Sequence, residues 1–134
     1  MTSIASLLES SGVESALAAR LGHFGTLVLE ANRRFNLTGA KTPDELAGHI
    51  LDSLSVVPYV RAPYVDVGSG AGFPAIPVAL ATGTSVTMIE ATAKKARFLE
   101  TILAALELPG RVLADRAELA GHDPELRERF ASGT

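Results

Sequence analysis

The stretch "YVDVGSGAGFPAIPVAL", residues 64–80, joins a strand pattern to a helix pattern. Residues 64–67 suit a short buried strand, and residues 75–81 suit a helix. Every second position at the centre of the stretch is a glycine: Gly68, Gly70 and Gly72. Such glycines let the chain turn with positive φ and let a ligand approach the backbone. Because backbone amides and a helix start attract anionic or polar groups, the stretch predicts a nucleotide-like ligand.

Strand and helix patterns continue to alternate after this stretch. Residues 85–89 predict a second strand, residues 93–107 predict a second helix, and Val112 with Leu113 predicts a third strand. The helix should turn four residues inward: Ala96, Leu99, Leu103 and Leu106. This alternation predicts an α/β chain with a parallel, Rossmann-like sheet. Ligands of such sheets bind beyond the carboxyl ends of the strands, where the glycines lie.

The first 60 residues predict helices only. A short helix should bury Ile4, Leu7 and Leu8, and a long helix should cover about residues 13–34. "TPDEL", residues 42–46, predicts the start of a third helix, with a capping threonine, a proline at the first helical position and a glutamate, Glu45, that can bond back to the backbone of the cap. We therefore expect an N-terminal helical region over residues 1–60 and the first part of a Rossmann-like domain over residues 61–134.

Composition excludes several classes of protein. With 47% hydrophobic and 20% charged residues in 134, the chain suits one globular domain. It has no cysteine, and its three histidines have no ligand spacing, so we expect no metal site. No apolar run could span a bilayer and the start lacks a signal-peptide pattern, which predicts a cytoplasmic protein without a membrane partner. Since the net charge is −3, any contact with nucleic acid requires local basic patches.

Two residues narrow the range of ligands that the glycine loop is expected to bind. The dinucleotide fingerprint requires a third glycine where this chain has Phe73, which disfavours a dinucleotide oxidoreductase. Glu90, at the end of the second strand, can accept both hydroxyls of a ribose. The alternative is that the glycines only form a tight turn and that Glu90 is a solvated strand end.

Four motifs in order resemble one family. "NLTG", "HILDSL", "DVGSGAGFPAIPVAL" and "KKARFL" are similar to the bacterial ribosomal RNA small subunit methyltransferase G family, also called glucose-inhibited division protein B. The resemblance covers about residues 21–130. It implies methyl transfer from S-adenosyl-L-methionine to N7 of a guanine in small-subunit (16S) ribosomal RNA, and therefore a class I methyltransferase fold. The implied partner is that RNA or a precursor of the ribosomal subunit.

The resemblance also implies cofactor-binding residues. The methionine and ribose portions would lie against four of them: Asp66, Gly68, Gly70 and Phe73. The ribose would also be held by Glu90, Ala91 and Thr92. Ala117 and Glu118 would lie beside the adenine, although from the residues alone they are an ordinary helix start.

Candidate RNA contacts are less distinctive. Asn36 and His49 belong to the resembled motifs, but each can equally fix a turn or pack in the core. Two runs of cations could form basic patches for phosphate or be solvated faces: Arg33, Arg34 and Lys41, and Lys94, Lys95 and Arg97. No catalytic residue is predicted, because guanine N7 carries a free lone pair and needs no general base.

The resembled family continues beyond "RFASGT" with a fourth strand and an arginine that closes over the cofactor. We therefore expect a fragment or a truncated protein, to which that arginine cannot be assigned. A first strand without its neighbour is an edge, so self-association, weak cofactor binding and no methyl transfer by this chain alone are expected. The alternative function is a nucleotide-binding module without catalysis.

Overall fold

A computed structural model describes residues 3–61, 63–68 and 70–114 of the chain. The elements follow in this order: α1 (Ile4–Ser10), α2 (Ser15–Asn32), α3 (Pro43–Leu54), a 3-10 turn (Val57–Tyr59), β1 (Tyr64–Val67), α4 (Ala75–Thr82), β2 (Val86–Ile89), α5 (Ala93–Ala105) and β3 (Gly110–Leu113). Helices and a sheet of parallel strands confirm the predicted α/β class, which is consistent with part of a Rossmann-like methyltransferase fold. The predicted division near residue 60 stays a prediction.

The three described strands pair in the order β1-β2-β3, and both pairings are parallel. Tyr64 lies beside Val86, which lies beside Gly110. Beyond the strands, the Gly68 amide donates to the Ile89 carbonyl at 2.7 Å, and the Glu90 amide donates to the carbonyl of Leu113 at 2.9 Å. The glycine loop and Glu90 therefore leave neighbouring strands at the same carboxyl edge of the sheet.

The two faces of the sheet differ. One face carries Tyr64, Val86 and Met88 into the main hydrophobic core, which also contains residues of all five helices. The other face carries Val65 and Ile89, with Leu113 packed against them, as a small separate cluster. Helix α4 is buried over 75–80 because α2, α3 and β2 all contact it. This explains why the helix is apolar all round.

Local signals explain most helix boundaries. Helix α2 begins at Ser15 because the Glu14 carboxylate accepts from the amides of Ala16 and Leu17, at 3.2 and 3.3 Å. This cap makes α2 start later than the predicted residue 13. Helix α3 ends at Leu54, and the 3-10 turn Val57–Tyr59, which contains Pro58, follows it.

The predicted cap of α3 is confirmed, with one difference. The Thr42 hydroxyl accepts from the Glu45 amide at 3.1 Å, and Pro43 occupies the first turn. The Glu45 carboxylate, however, accepts from the Thr42 hydroxyl at 3.1 Å rather than from a backbone amide. Threonine and glutamate thus bind each other directly.

Helices α1 and α2 approach closely through small residues. A Cβ at Gly25 would lie 2.6 Å from Cδ1 of Ile4, and one at Gly22 would lie 3.1 Å from Cβ of Ala5. Gly12, with φ of +95°, forms the bend between the two helices. Over the described part of the chain, we find no helix with the length and apolarity that a bilayer requires, and no cluster of three or more candidate metal ligands.

Candidate functional site

The glycine loop after β1 contains two positions that face open space. Gly68 and Gly70 have φ of +71° and +59°, which is the left-handed region that favours glycine. A Cβ at Gly68 would meet nothing within 4 Å, and one at Gly70 would meet only the Gly68 carbonyl oxygen at 4.0 Å. Among the described residues, no other atom fills the space that the missing side chains leave, so a ligand can reach the backbone there.

Gly72 serves a different purpose from the first two glycines. Its φ is +100°, and a Cβ there would lie 2.8 Å from Cγ1 of Ile76 and 3.4 Å from Cδ2 of Leu99. Side chains of the core occupy the space, so this glycine permits close packing of the loop on α4 and α5. The spacing in the sequence does not distinguish it from the other two.

Phe73 connects the glycine loop to the N-terminal helices. Its ring centroid lies 5.3 Å from that of Phe24 in α2 and 5.8 Å from that of His49 in α3. The His49 ring meets it nearly edge-on, with an interplanar angle of 82°. Both arrangements are favourable for aromatic rings. The residue that distinguishes this loop from a dinucleotide fingerprint therefore also fixes the loop against two helices.

Glu90 binds the backbone on both sides of the candidate site. It is only 6% exposed, and its two carboxylate oxygens accept from the Gly70 amide at 3.0 Å and the Thr92 amide at 3.2 Å. Hydrogen bonds to a charged acceptor are the stronger kind, worth about 1.5–3 kcal/mol. Each oxygen keeps capacity for another donor. Glu90 is therefore not a solvated strand end: it orders the glycine loop and can still accept from a ligand.

The other predicted cofactor residues lie near this point where they are described. Asp66 is buried in β1, on the face that carries Met88 of β2. Ala91 and Thr92 are exposed directly after Glu90. Ala117 and Glu118 lie outside the described residues.

A turn between α2 and α3 is organised by Asn32, which the sequence did not single out. Its side-chain oxygen accepts from the amides of Leu37 and Thr38, at 2.8 and 3.1 Å. Its side-chain nitrogen donates to the Ala40 carbonyl at 3.4 Å. Asn36, which was expected to fix the turn or contact RNA, is exposed. An asparagine at the last position of an amphipathic helix, before a polar turn, was the available signal.

A pocket of about 320 Å³ lies between α3 and the end of the glycine loop, and we call it the α3 pocket. Its walls come from both elements: His49, Asp52, Ser53, Val56, Phe73 and Pro74. The Ser53 hydroxyl donates to the His49 carbonyl at 2.9 Å. Phe73 is thus shared between this pocket and the glycine loop.

The cations are grouped differently from their order in the sequence. Arg34 joins Lys94 and Arg97 in a groove of about 390 Å³, which Phe35, Phe98 and Thr101 also line. Arg33 joins Lys41 in a second groove of about 440 Å³ with Leu29, Asn32 and Pro43. Lys95 is half-buried and does not line either groove. The C-terminal end of α2 therefore contributes one arginine to each groove.

Comparison with known proteins identifies one family throughout. The model of the GidB family, described as rRNA small subunit methyltransferase G, matches residues 18–128. Among proteins named ribosomal RNA small subunit methyltransferase G, that of Nostoc sp. is 39% identical over 124 residues, which cover 84% of this chain and 51% of the relative. That of Stenotrophomonas maltophilia is 40% identical over 129 residues, covering 91% and 61%. That of Anaeromyxobacter dehalogenans is 42% identical over 121 residues, covering 86% and 56%. The chain thus spans about half the length of the curated relatives it matches.

Proposed function

Because this chain belongs to the GidB family of rRNA small subunit methyltransferase G proteins, we propose that it carries the S-adenosyl-L-methionine site of an enzyme that methylates guanine N7 in small-subunit ribosomal RNA. The proposal rests on the hydrogen bond that the Gly70 amide donates to the Glu90 carboxylate across the carboxyl edge of the sheet. That contact brings a buried carboxylate to an open glycine loop, where Rossmann-like sheets bind nucleosides.

The loop fits such a cofactor. S-adenosyl-L-methionine, when bound, supplies a methyl group made electrophilic by its sulfonium sulfur. The proposed place of its methionine and ribose portions is beside Gly68 and Gly70, where an added Cβ would meet no described atom closer than 4.0 Å. The remaining acceptor capacity of Glu90 suits two ribose hydroxyls, with Ala91 and Thr92 beside them. Asp66 and Phe73 complete the proposed wall, and adenine contacts by Ala117 and Glu118 rest on the family resemblance.

The proposed reaction requires positioning rather than proton transfer. Guanine N7 carries a free lone pair at neutral pH, so no residue has to remove a proton before the attack. The chain contributes by holding the target base against the cofactor and by excluding water. Phe73 is suited to this, since it is fixed by Phe24 and His49 at the boundary between the loop and the α3 pocket.

Contacts with RNA are proposed for the two basic grooves. Arg34, Lys94 and Arg97 lie together in one groove with the half-buried Phe35, a combination that suits phosphates of an unpaired segment. Arg33 and Lys41 provide a second phosphate contact. Asn36, which is exposed, lies between Arg34 and Lys41 along the sequence. Lys95 and His49 are the remaining candidates. The proposed partner is small-subunit ribosomal RNA or its precursor particle, which implies action in the cytoplasm.

A binding module without catalysis is the second candidate. It requires only the glycine loop with Glu90, the part of the proposed site that the described residues contain. A dinucleotide enzyme is disfavoured because Phe73 replaces the third glycine of that fingerprint.

Calorimetric titration tests the cofactor proposal. We expect S-adenosylhomocysteine to bind the chain and nicotinamide dinucleotide not to bind. Gly70→Val should weaken the binding, whereas Gly39→Val, at a glycine that also faces open space but lies in the α2–α3 turn, should not. Tighter binding of nicotinamide dinucleotide would contradict the proposal. Transfer of labelled methyl groups to small-subunit RNA then distinguishes an enzyme from a binding module.

A further inference from the structure

The α3 pocket lies directly beside the proposed cofactor loop. It is separated from the loop by Phe73 and Pro74, which line it. It is a shallow depression of about 320 Å³ that is open to solvent. That size suits one nucleobase better than a dinucleotide.

We propose that the α3 pocket holds the target guanine and that Asp52 recognises the Watson–Crick edge of this base. The inference rests on the proposed function, which supplies guanine as the methyl acceptor. It goes further by assigning the pocket and the residue that distinguishes guanine from other bases.

The chemistry of the pocket walls points to guanine. Asp52, which is exposed at the mouth of the pocket, provides an acceptor-only carboxylate, and the Ser53 hydroxyl proton is already donated to the His49 carbonyl. Guanine presents two parallel donors, N1–H and the 2-amino group, which match the two oxygens of a carboxylate. Adenine presents an acceptor at N1 and would leave the carboxylate facing a lone pair. A pocket with this carboxylate therefore selects for guanine.

Three of the remaining lining residues are apolar. Val56, Phe73 and Pro74 offer apolar surface to the faces or edges of a purine. The edge-on contact with Phe73 fixes the His49 ring at the rim, although His49 itself is exposed. Asp52 follows His49 by three positions in α3, so the two side chains project from the same face of the helix.

Asp52 also complements the charge that forms during the reaction. Methylation converts a neutral guanine into a cation, because the N7 lone pair becomes the new nitrogen–carbon bond while the old bonding pair stays on the departing sulfur. A carboxylate at the N1 edge binds this cation more tightly than the neutral base. An interaction that strengthens as the charge develops accelerates the reaction, beyond selecting the substrate.

Nucleotide titrations followed by NMR test the inference on this chain. The ligands are guanosine 5′-monophosphate, inosine 5′-monophosphate, which lacks the 2-amino group, and 7-methylguanosine 5′-monophosphate. The variants are the parent chain, Asp52→Asn, and Asp44→Asn, which removes an exposed carboxylate from the same helix outside the pocket. Mildly acidic buffer keeps the N1 proton on the methylated base. Shifts of the His49 and Phe73 ring signals report the site, and amide spectra check that each variant is folded.

We expect the parent to prefer the guanosine ligand over the inosine ligand by about tenfold, and the methylated ligand over both. Asp52→Asn should abolish most of both preferences, and Asp44→Asn should keep them. Equal binding of guanosine and inosine ligands by the parent, an unchanged preference in Asp52→Asn, or no guanosine-dependent shift at His49 and Phe73 would each overturn the inference.

A parallel titration with S-adenosylhomocysteine separates this inference from the proposed function. If that ligand binds the parent and Asp52→Asn equally while no guanine preference is found, only the assignment of Asp52 is wrong. If it does not bind at all, the cofactor proposal is wrong, and the nucleotide titrations still decide what Asp52 recognises.

Discussion

Two loops of this molecule are each organised by one side chain that accepts from two backbone amides. Asn32 does this for the turn between α2 and α3, through the amides of Leu37 and Thr38. Glu90 does it at the edge of the sheet, through the amides of Gly70 and Thr92. The hydrogen-bonding pattern is the same, but the chemistry of the acceptor differs.

That difference separates an architectural turn from a binding loop. Asn32 is neutral, and its nitrogen donates to the same turn, so the turn satisfies its own side chain. Glu90 is a buried carboxylate that joins two loops from different strands and keeps lone pairs available. Burying a charge is costly unless it is well bonded, and the two backbone amides provide such bonds for Glu90. We propose that a ligand with donors completes them. Substitutions in each loop test whether the two loops differ in this way.

The largest effect is expected at Gly72, the glycine of the loop after β1 that packs against the core. Gly72→Ala should lower the free energy of unfolding by about 3 kcal/mol, through left-handed strain and a clash with Ile76. Gly70→Ala is the matched control, since its Cβ would meet open space, and should cost only about 1 kcal/mol. Urea denaturation measures both, and equal losses would show that Gly72 is not a packing position.

The second effect concerns the architectural turn. Asn32→Ala leaves two amides and a carbonyl without their partner and should lower the free energy of unfolding by about 2 kcal/mol. Asn36→Ala, at an exposed position of the same turn, should change it by less than about 0.5 kcal/mol. Neither variant should change the affinity for S-adenosylhomocysteine in calorimetry. A large loss of affinity in Asn32→Ala, with the fold intact, would break the distinction between the loops.

The third effect concerns ligand affinity. Glu90→Gln replaces a charged acceptor by a neutral one and should weaken S-adenosylhomocysteine binding by about tenfold. The preference over an analogue without the ribose 2′- and 3′-hydroxyls should shrink in parallel. Glu100→Gln, which changes an exposed carboxylate of α5, serves as the control. If Glu90→Gln keeps the full preference for the hydroxylated ligand, another group binds the ribose.

The smallest effect concerns self-association, which we propose for β1. Within the described residues, β1 has a strand neighbour on one side, and Val67 at its end is 45% exposed. Val67→Lys should weaken association by less than about 1 kcal/mol, because a lysine at a strand edge disfavours pairing. Light scattering across a concentration series measures this. Tyr59→Lys adds the same charge at another exposed apolar residue, and an equal effect there would indicate a general charge effect instead.

Local signals predicted much of the fold. The strand predicted over 64–67 is β1 without any shift, and the helix predicted over 93–107 is α5, which ends two residues earlier at Ala105. Both depend on patterns within a few neighbours. The glycine loop and Glu90 were likewise predicted as one site, since parallel strands bring their carboxyl ends together.

Contacts between distant residues were not predictable in the same way. Nothing in the sequence indicates that Phe73 lies between Phe24 and His49, or that Gly72 faces the core while Gly70 faces open space. The placement of Arg33 and Arg34 in separate grooves also depends on the direction of the turn that follows α2. Side-chain partners across elements follow from tertiary packing, which no local pattern contains.

The order of the strands bears on how the chain forms during synthesis. Each described strand pairs with the strand that precedes or follows it in the sequence. As the chain grows, β2 can dock on β1 once α4 has formed, and β3 can dock on β2 once α5 has formed. No described strand has to wait for a distant one or be inserted between two others. Because each pairing joins strands that are adjacent in the sequence, the carboxyl edge with its glycine loop can form stepwise, from the amino-terminal side of the chain onward.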